Sequence, residues 1–176
     1  MEVFWSSALV IAFGIAAIHA EFDHVGVVHG TTGNDISDAN SVVELCHKYG
    51  LKKIRLLDGN YELMHSLIDQ NIAVTIDIRN FKLPSMAYPE GPDASDWVNY
   101  NIMPFIGKIQ IEYIVVGNEA IPGIFGEYVA PAIQNIKNKL LEHDVKIKLT
   151  TAVSTSVLSA TFGLQTVRLR MKQDNI

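Results

Sequence analysis

Short runs of β-branched residues alternate with longer amphipathic stretches along most of the sequence, and this alternation constrains the fold more than any other feature. Five of the runs are predicted strands, at residues 24–29, 53–58, 73–78, 111–118 and 146–153. Between them, apolar residues recur at three- and four-residue spacing, which predicts helices near 38–49, 60–70, 93–106 and 127–143. Strands that alternate with helices are typical of repeated βαβ units around a parallel sheet. The sequence therefore predicts an α/β protein.

Local patterns assign structural roles to several single residues. Ser37 or Asp38 precedes the first helix and Asp93 the third, and each is a residue type that caps helix N-termini. Cys46 is the only cysteine and lies on the apolar stripe of the first helix, so we expect a buried thiol and no internal disulfide. Trp97 lies at core spacing in the third helix, which predicts packing rather than a platform for a ligand.

Charge and metal-ligand spacing exclude several classes of partner. The chain has 14 Lys and Arg against 19 Asp and Glu, giving a formal net charge of −5. Proteins that bind nucleic acid or anionic membrane surfaces need a basic surface, and this balance does not provide one. The six His residues are scattered, and no His or Cys cluster has zinc-like spacing, so no metal site is predicted.

Residues 1–20 are apolar through their middle and end in small residues, which predicts a secretory signal peptide cleaved after Ala20. The alternative is a membrane anchor, but the apolar run is shorter than the roughly 20 residues that a spanning helix needs. We therefore expect a secreted protein that has no membrane segment after cleavage.

Polar side chains follow four of the five predicted strands. In α/β barrels and open α/β sheets, the carboxyl ends of parallel strands meet at one rim, and catalytic and ligand-binding residues lie at that rim. Several polar groups that converge on one rim are a stronger signal than any one of them. The residues that we expect to line this half-cleft are His29, Asp58, Asp77, Asn80, Asn118 and Glu119.

Six segments of the sequence, taken in their order and spacing, form a recognisable pattern. They are Val25-Gly-Val-Val-His-Gly30, Lys53-Ile-Arg-Leu-Leu-Asp58, Asp77-Ile-Arg-Asn80, Ser95-Asp-Trp-Val98, Tyr113-Ile-Val-Val-Gly-Asn-Glu119 and Thr150-Thr-Ala-Val153. Together they resemble the plant endo-β-1,3-glucanases of glycoside hydrolase family 17, and the resemblance covers residues 24–162. A Gly-Asn-Glu sequence alone would be a weak signal, whereas six segments in register identify the family.

The resemblance implies a (β/α)8 TIM barrel that hydrolyses internal linkages of β-1,3-glucan with retention of configuration and without a cofactor. This chain would supply about the first five strands, in residues 21–162, followed by a divergent tail at 163–176. The resemblance also implies a protein of the extracellular space or plant cell wall. By the same resemblance, Glu119 is the general acid/base and Asn118 can hydrogen-bond the sugar 2-hydroxyl.

The sequence departs from the family pattern at two strand residues. His29 and Leu57 stand where the family usually has tyrosine, so contacts with the sugar faces are expected to differ.

Arg55 lies in an otherwise apolar strand and needs an acceptor if it points inward. Asp58 or Asp77 could supply that acceptor in a structural ion pair, and a substrate contact is the alternative reading of Arg55.

A retaining glycosidase needs a second carboxylate about 5–5.5 Å from the first. In the family it comes from a Ser-Glu-Ser/Thr-Gly-Trp-Pro segment, and nothing in these 176 residues resembles that segment. We therefore expect a truncated glucanase that does not hydrolyse glucan as given. The alternatives are a non-catalytic fragment that binds glucan and an incomplete gene model.

Overall fold

Five parallel strands form one sheet in which the order of the strands follows the order of the chain. The structure is a computed structural model that describes residues 25–30, 33, 36–89 and 91–157. All five predicted strands are confirmed, and each pairs in parallel with the next. The strands are β1 Val27–His29, β2 Lys53–Leu56, β3 Ala73–Ile78, β4 Ile111–Asn118 and β5 Lys148–Ala152. The predicted signal peptide and the predicted tail at 163–176 lie outside the described residues.

Helices connect the strands, as the apolar spacing predicted. A short helix in the connection after β3 was not predicted, and 3₁₀ turns at Asn80–Lys82, Met103–Phe105 and Thr155–Val157 accompany the helices. The helices are α1 Ala39–Lys48, α2 Tyr61–Ser66, α3 Leu83–Met86, α4 Asp93–Asn101 and α5 Gly126–Glu142.

Two helices are shorter than predicted, for identifiable reasons. The helix expected over 60–70 ends at Ser66, and Asp69 and Asn71 then adopt φ of 58° and 55°, which turns the chain out of the right-handed helix. The helix expected over 93–106 ends at Asn101, because Pro104 lacks an N–H and restricts the residue before it.

The helix caps agree only partly with the prediction. Asp38 caps α1, accepting hydrogen bonds from the backbone N–H groups of Asn40 and Ser41 at 3.0 Å each. The cap predicted for Asp93 is wrong, because Pro92 occupies that position and Asp93 is the first helical residue of α4. There Asp93 lies in the first turn, where a carboxylate favours the positive end of the helix dipole.

The core lies between the helices and one face of the sheet. Cys46 and Trp97 belong to it, at 2% and 4% exposure, which confirms both predictions of burial. The opposite face carries Arg55 and Asp77, on neighbouring strands. Seven sheet residues on the helix-covered face are at most 1% exposed, and they are Ile54, Leu56, Val74, Ile76, Ile78, Ile114 and Val116.

Candidate active site

The carboxyl ends of β2, β3 and β4 bring together Arg55, Asp77 and Asn118. Arg55 donates from Nε to Asp77 Oδ1 at 2.9 Å and from Nη2 to Asp77 Oδ2 at 2.6 Å. The same Nη2 donates to Asn118 Oδ1 at 2.9 Å. The sequence left Arg55 open between two aspartates and a substrate contact, and the structure pairs it with Asp77 in the bidentate geometry that suits a guanidinium.

Burial determines the electrostatics of this pair. Asp77 is 1% exposed and is the only charged residue buried among the described residues. Burial raises the pKa of Asp77 above its ordinary value, because it disfavours the charged carboxylate, while the hydrogen bonds from Arg55 act in the opposite direction. The contact with Asp77 raises the pKa of Arg55, so the guanidinium stays charged. Asp77 therefore lies beneath the rim rather than on its surface.

Asn80 holds the backbone of Asn118 through two reciprocal hydrogen bonds. The Asn118 backbone N–H donates to Asn80 Oδ1 at 2.8 Å, and Asn80 Nδ2 donates to the Asn118 carbonyl oxygen at 2.9 Å. The Asn118 side chain is exposed, and its Oδ1 is occupied by Arg55. Among the described residues, Asn118 Nδ2 has no acceptor within hydrogen-bond distance.

The backbone turns sharply just before and at Glu119. Gly117 has φ of 80° and Glu119 has φ of 52°, a region that non-glycine residues seldom occupy. The Glu119 N–H donates to the Ala152 carbonyl oxygen at 2.7 Å, and Thr151 Oγ1 donates to the Gly117 carbonyl oxygen at 3.2 Å. The end of β5 thus fixes the backbone of this turn, and the Glu119 side chain is exposed at the rim. Backbone conformations of this kind cluster at functional sites.

Asp58 forms a second charged cluster at the rim. It accepts from the backbone N–H of Gly59 at 2.9 Å and from Arg79 Nε at 2.8 Å, and Lys82 Nζ lies 3.9 Å from it. Its partners are therefore different from those of Asp77. The structure places Asp58 at the end of β2 as predicted, but not in the Arg55 network.

His29 lies at the end of β1 but on the face of the sheet that packs against helices. It pairs with Leu56, and paired residues in a parallel sheet point to the same face. With Val42 and Cys46 it lines a cavity of about 310 Å³ beneath α1. We expected His29 to line the half-cleft with the other polar residues, and the pairing register instead sets it apart from Arg55 and Asp77.

Two contacts and one backbone conformation of this site were not predicted from the sequence. Arg79 binds Asp58, Thr151 binds the turn before Glu119, and Gly117 provides the positive φ that the turn needs. Gly117 interrupts an apolar strand, and an isolated glycine in a strand is a signal of close approach or unusual backbone. Arg79 and Thr151 lie in two of the six family-like segments, but nothing in those segments indicates their partners.

The described residues contain neither a metal-binding cluster nor a helix that could span a membrane. The described residues do not bring three His, Cys, Asp or Glu side chains together in a group that could hold a metal ion. Among the helices of the described ranges, none is both long enough and apolar enough to cross a lipid bilayer.

Comparison with protein families and known proteins identifies relatives of this chain. The sequence pattern of the family described as "Glycosyl hydrolases family 17" matches residues 25–174. A glucan endo-1,3-beta-glucosidase of Pisum sativum is 32% identical over 161 residues, which are 88% of this chain and 43% of the relative. The acidic isoform GI9 of the same enzyme from Nicotiana tabacum is 32% identical over 143 residues, 78% of this chain and 41% of the relative.

Solved structures of two plant β-glucanases superpose on most of this chain, which agrees with the relatives found by sequence. CJP38, a beta-1,3-glucanase and allergen of Cryptomeria japonica pollen, superposes with a TM-score of 0.77 at 29% identity, covering 82% of this chain and 47% of that structure. A plant beta-glucan endohydrolase superposes with a TM-score of 0.75 at 28% identity over the same shares. The chain thus spans less than half the length of the relatives that it matches, and its five strands correspond to part of their barrel.

Proposed function

Because this chain belongs to glycosyl hydrolases family 17, we propose that its strand ends form the acid/base half of an endo-β-1,3-glucanase active site. Glu119 is the general acid/base in this proposal. The observation that carries it is the position of Glu119: an exposed carboxyl directly after β4, on a backbone turn fixed by the Ala152 carbonyl oxygen. Chemistry in parallel α/β folds is placed at this end of the strands.

In the proposed reaction Glu119 first donates its proton to the glycosidic oxygen as the bond to the anomeric carbon breaks. A second carboxylate forms the new bond to that carbon, and Glu119 then takes a proton from the water that releases the sugar. Asn118 is suited to assist, because its Nδ2 is available to donate to a sugar hydroxyl. Such a bond to the 2-hydroxyl strengthens as charge develops in the transition state.

The other residues of the half-cleft are assigned supporting roles. Asn80 holds the backbone of Asn118, and Asp58 orders Arg79 and Lys82 at the rim, where they can meet sugar hydroxyls. His29 lies on the helix-covered face, outside this half-cleft, and has no role in the proposal. The ligand of this surface is β-1,3-glucan, the polymer named in the descriptions of the relatives.

These 176 residues contain no segment that resembles the family's source of the second carboxylate. A polypeptide of residues 21–176 is therefore predicted to bind β-1,3-glucan without cleaving it. The test compares native polypeptide, Glu119→Gln and Asn118→Ala for binding to insoluble β-1,3-glucan, with β-1,4-glucan as the control polymer. Native protein and Glu119→Gln should be retained by β-1,3-glucan alone, and Asn118→Ala should be retained less. Equal retention on both polymers, or retention that Asn118→Ala leaves unchanged, would contradict the proposed surface.

Hydrolysis is tested separately with a soluble β-1,3-glucan, by counting new reducing ends. The native polypeptide should release none. Release by native protein but not by Glu119→Gln would show that the second carboxylate lies within these residues. In any longer form of the protein that hydrolyses the polymer, Glu119→Gln should lower kcat by about 10²–10⁴-fold. The matched change Glu127→Gln, at an exposed glutamate in the first turn of α5, should leave kcat unchanged.

Export forms part of the same proposal. Residues 1–20 have the composition of a signal peptide, so mature protein should begin at Glu21 and accumulate outside the cell, in the extracellular space or the cell wall. N-terminal sequencing of secreted protein checks the cleavage site. Recovery of chains that begin only at Met1, retained in the cytosol, would contradict export.

A further inference from the structure

We infer that Asp77 is a positioning residue, which acts through Arg55 to fix the orientation of the Asn118 side-chain amide. This inference rests on the proposed function for its consequence, because the oriented amide is the group proposed to meet the sugar. The orientation itself is a property of the protein alone and can be measured without any sugar.

The argument begins with the burial of Asp77. A carboxylate that is 1% exposed must be compensated by a partner, since an isolated buried charge is costly. Arg55 provides the compensation with two hydrogen bonds, at 2.9 and 2.6 Å, which fix the plane of the guanidinium as well as its position. Arg55 is itself 28% exposed, so one edge of the guanidinium remains at the rim.

The second step is the contact of that guanidinium with Asn118. Arg55 Nη2, which already binds Asp77, also donates to Asn118 Oδ1 at 2.9 Å. A guanidinium is a donor only, so it binds the oxygen of the amide and rejects the nitrogen. The Asn118 amide is therefore set with its oxygen toward Arg55 and its Nδ2 donor away from it. Asn80 holds the backbone of the same residue, so the side chain starts from a fixed Cα.

The third step is a comparison of the two aspartates at the strand ends. Asp58 is also paired with an arginine, but its bonds run to Gly59, Arg79 and Lys82 rather than to Arg55 or Asn118. Only Asp77 is linked to the amide through a shared guanidinium nitrogen. The two aspartates differ in this connection, and Asp58→Asn is therefore a matched control for Asp77→Asn.

The orientation is tested by NMR on the polypeptide of residues 21–176, using three-bond couplings that report the χ1 and χ2 torsion angles of Asn118, the second of which sets the direction of the amide. The native chain should show a single rotamer and one well-resolved side-chain NH₂ pair, assigned by its loss in Asn118→Ala. Asp77→Asn should shift that pair and average the rotamers, while Asp58→Asn should leave both unchanged. If Asp77→Asn does not fold, Arg55→Lys takes its place and should have the same effect on the Asn118 amide. Lysine keeps the positive charge but lacks the planar guanidinium that makes two hydrogen bonds at once. A single native rotamer in the folded variant would overturn the inference.

The consequence for binding is tested by a double-mutant cycle on β-1,3-glucan. Asp77→Asn should weaken binding about 3- to 10-fold, as loss of one hydrogen bond does, and should add nothing in combination with Asn118→Ala. Failure of the native polypeptide to bind would count against the proposed function, and the rotamer measurement would still decide the role of Asp77. Native binding with additive losses in the double variant would overturn the inference alone.

Discussion

Replacement of Gly117 by alanine tests how the structure holds the turn before Glu119. Gly117 has φ of 80°, and a Cβ built on it would lie 3.0 Å from Leu83 Cδ1, 3.1 Å from Ala120 Cβ and 3.4 Å from Asn80 Oδ1. The first two distances are shorter than ordinary van der Waals contacts. Alanine here therefore brings two separate costs: a backbone conformation that L-residues disfavour, and a methyl group without space.

The two costs can be given magnitudes. A left-handed conformation costs an L-residue about 1–2 kcal/mol. Overpacking of a well-packed site costs about 1–3 kcal/mol, so Gly117→Ala should lower the free energy of unfolding by about 2–5 kcal/mol. Gly50 has φ of 65° with nothing within 4 Å of a built Cβ, and Gly107 has φ of 76° with equally open surroundings. Alanine at either of these control positions should incur only the backbone cost.

The assay is urea unfolding of residues 21–176, followed by the fluorescence of Trp97. This tryptophan is buried at 4% exposure and is the only one left after residues 1–20 are removed. All variants are compared at one protein concentration, because self-association makes midpoints depend on concentration. A Gly117→Ala variant no less stable than Gly50→Ala and Gly107→Ala would refute the reasoning, since the steric cost would then be absent.

Two further predictions concern helix α2 and the buried thiol. Asn60 caps α2 by accepting from the Leu63 N–H at 3.0 Å, so Asn60→Ala should cost about 1 kcal/mol in urea unfolding, whereas Asn99→Ala within α4 should cost nothing. An equal effect of both changes would contradict the cap. Burial raises the pKa of the Cys46 thiol, and the side chain is 2% exposed, so iodoacetamide at pH 8 should label it only after denaturant is added. Complete labelling of native protein, measured by mass spectrometry, would show that the helix α1 opens.

The strands could be predicted from the sequence because their signal is local. Runs such as Ala73–Ile78 are β-branched and bounded by turn residues, and strands covered by helices are apolar enough to be recognised without knowledge of their partners. The core-facing side of α1 could be predicted in the same way, because Val42, Val43 and Cys46 recur at three- and four-residue spacing. The connection after β3 was missed because α3 has four residues, which is too short for a helical period to be read.

The candidate site was harder to predict, because partners and faces depend on register. The sequence placed polar residues at the strand ends, and hydrogen bonds through Arg55 and Asn118 link Asp77, Asn80 and Asn118 there. It did not decide between Asp58 and Asp77 as the acceptor for Arg55. That choice follows from the pairing of β2 with β3, which places Arg55 and Asp77 on one face. His29 fell on the other face for the same reason, since a shift of one residue in a strand reverses the direction of its side chain.

Among the described residues, the contacts that hold the turn at Glu119 come from residues 80–152. Asn80 fixes the backbone one residue before it, Ala152 accepts its N–H, and Gly117 provides the backbone conformation. A catalytic group is effective when the surrounding protein fixes its geometry before substrate arrives. These described contacts lie on β3, β4, β5 or the turns that follow them, so the turn that carries Glu119 is fixed without the segment that would supply the second carboxylate in the proposed reaction. The two halves of the proposed reaction are therefore separable: glucan contact and protonation belong to this half, while formation of the glycosyl intermediate requires the other.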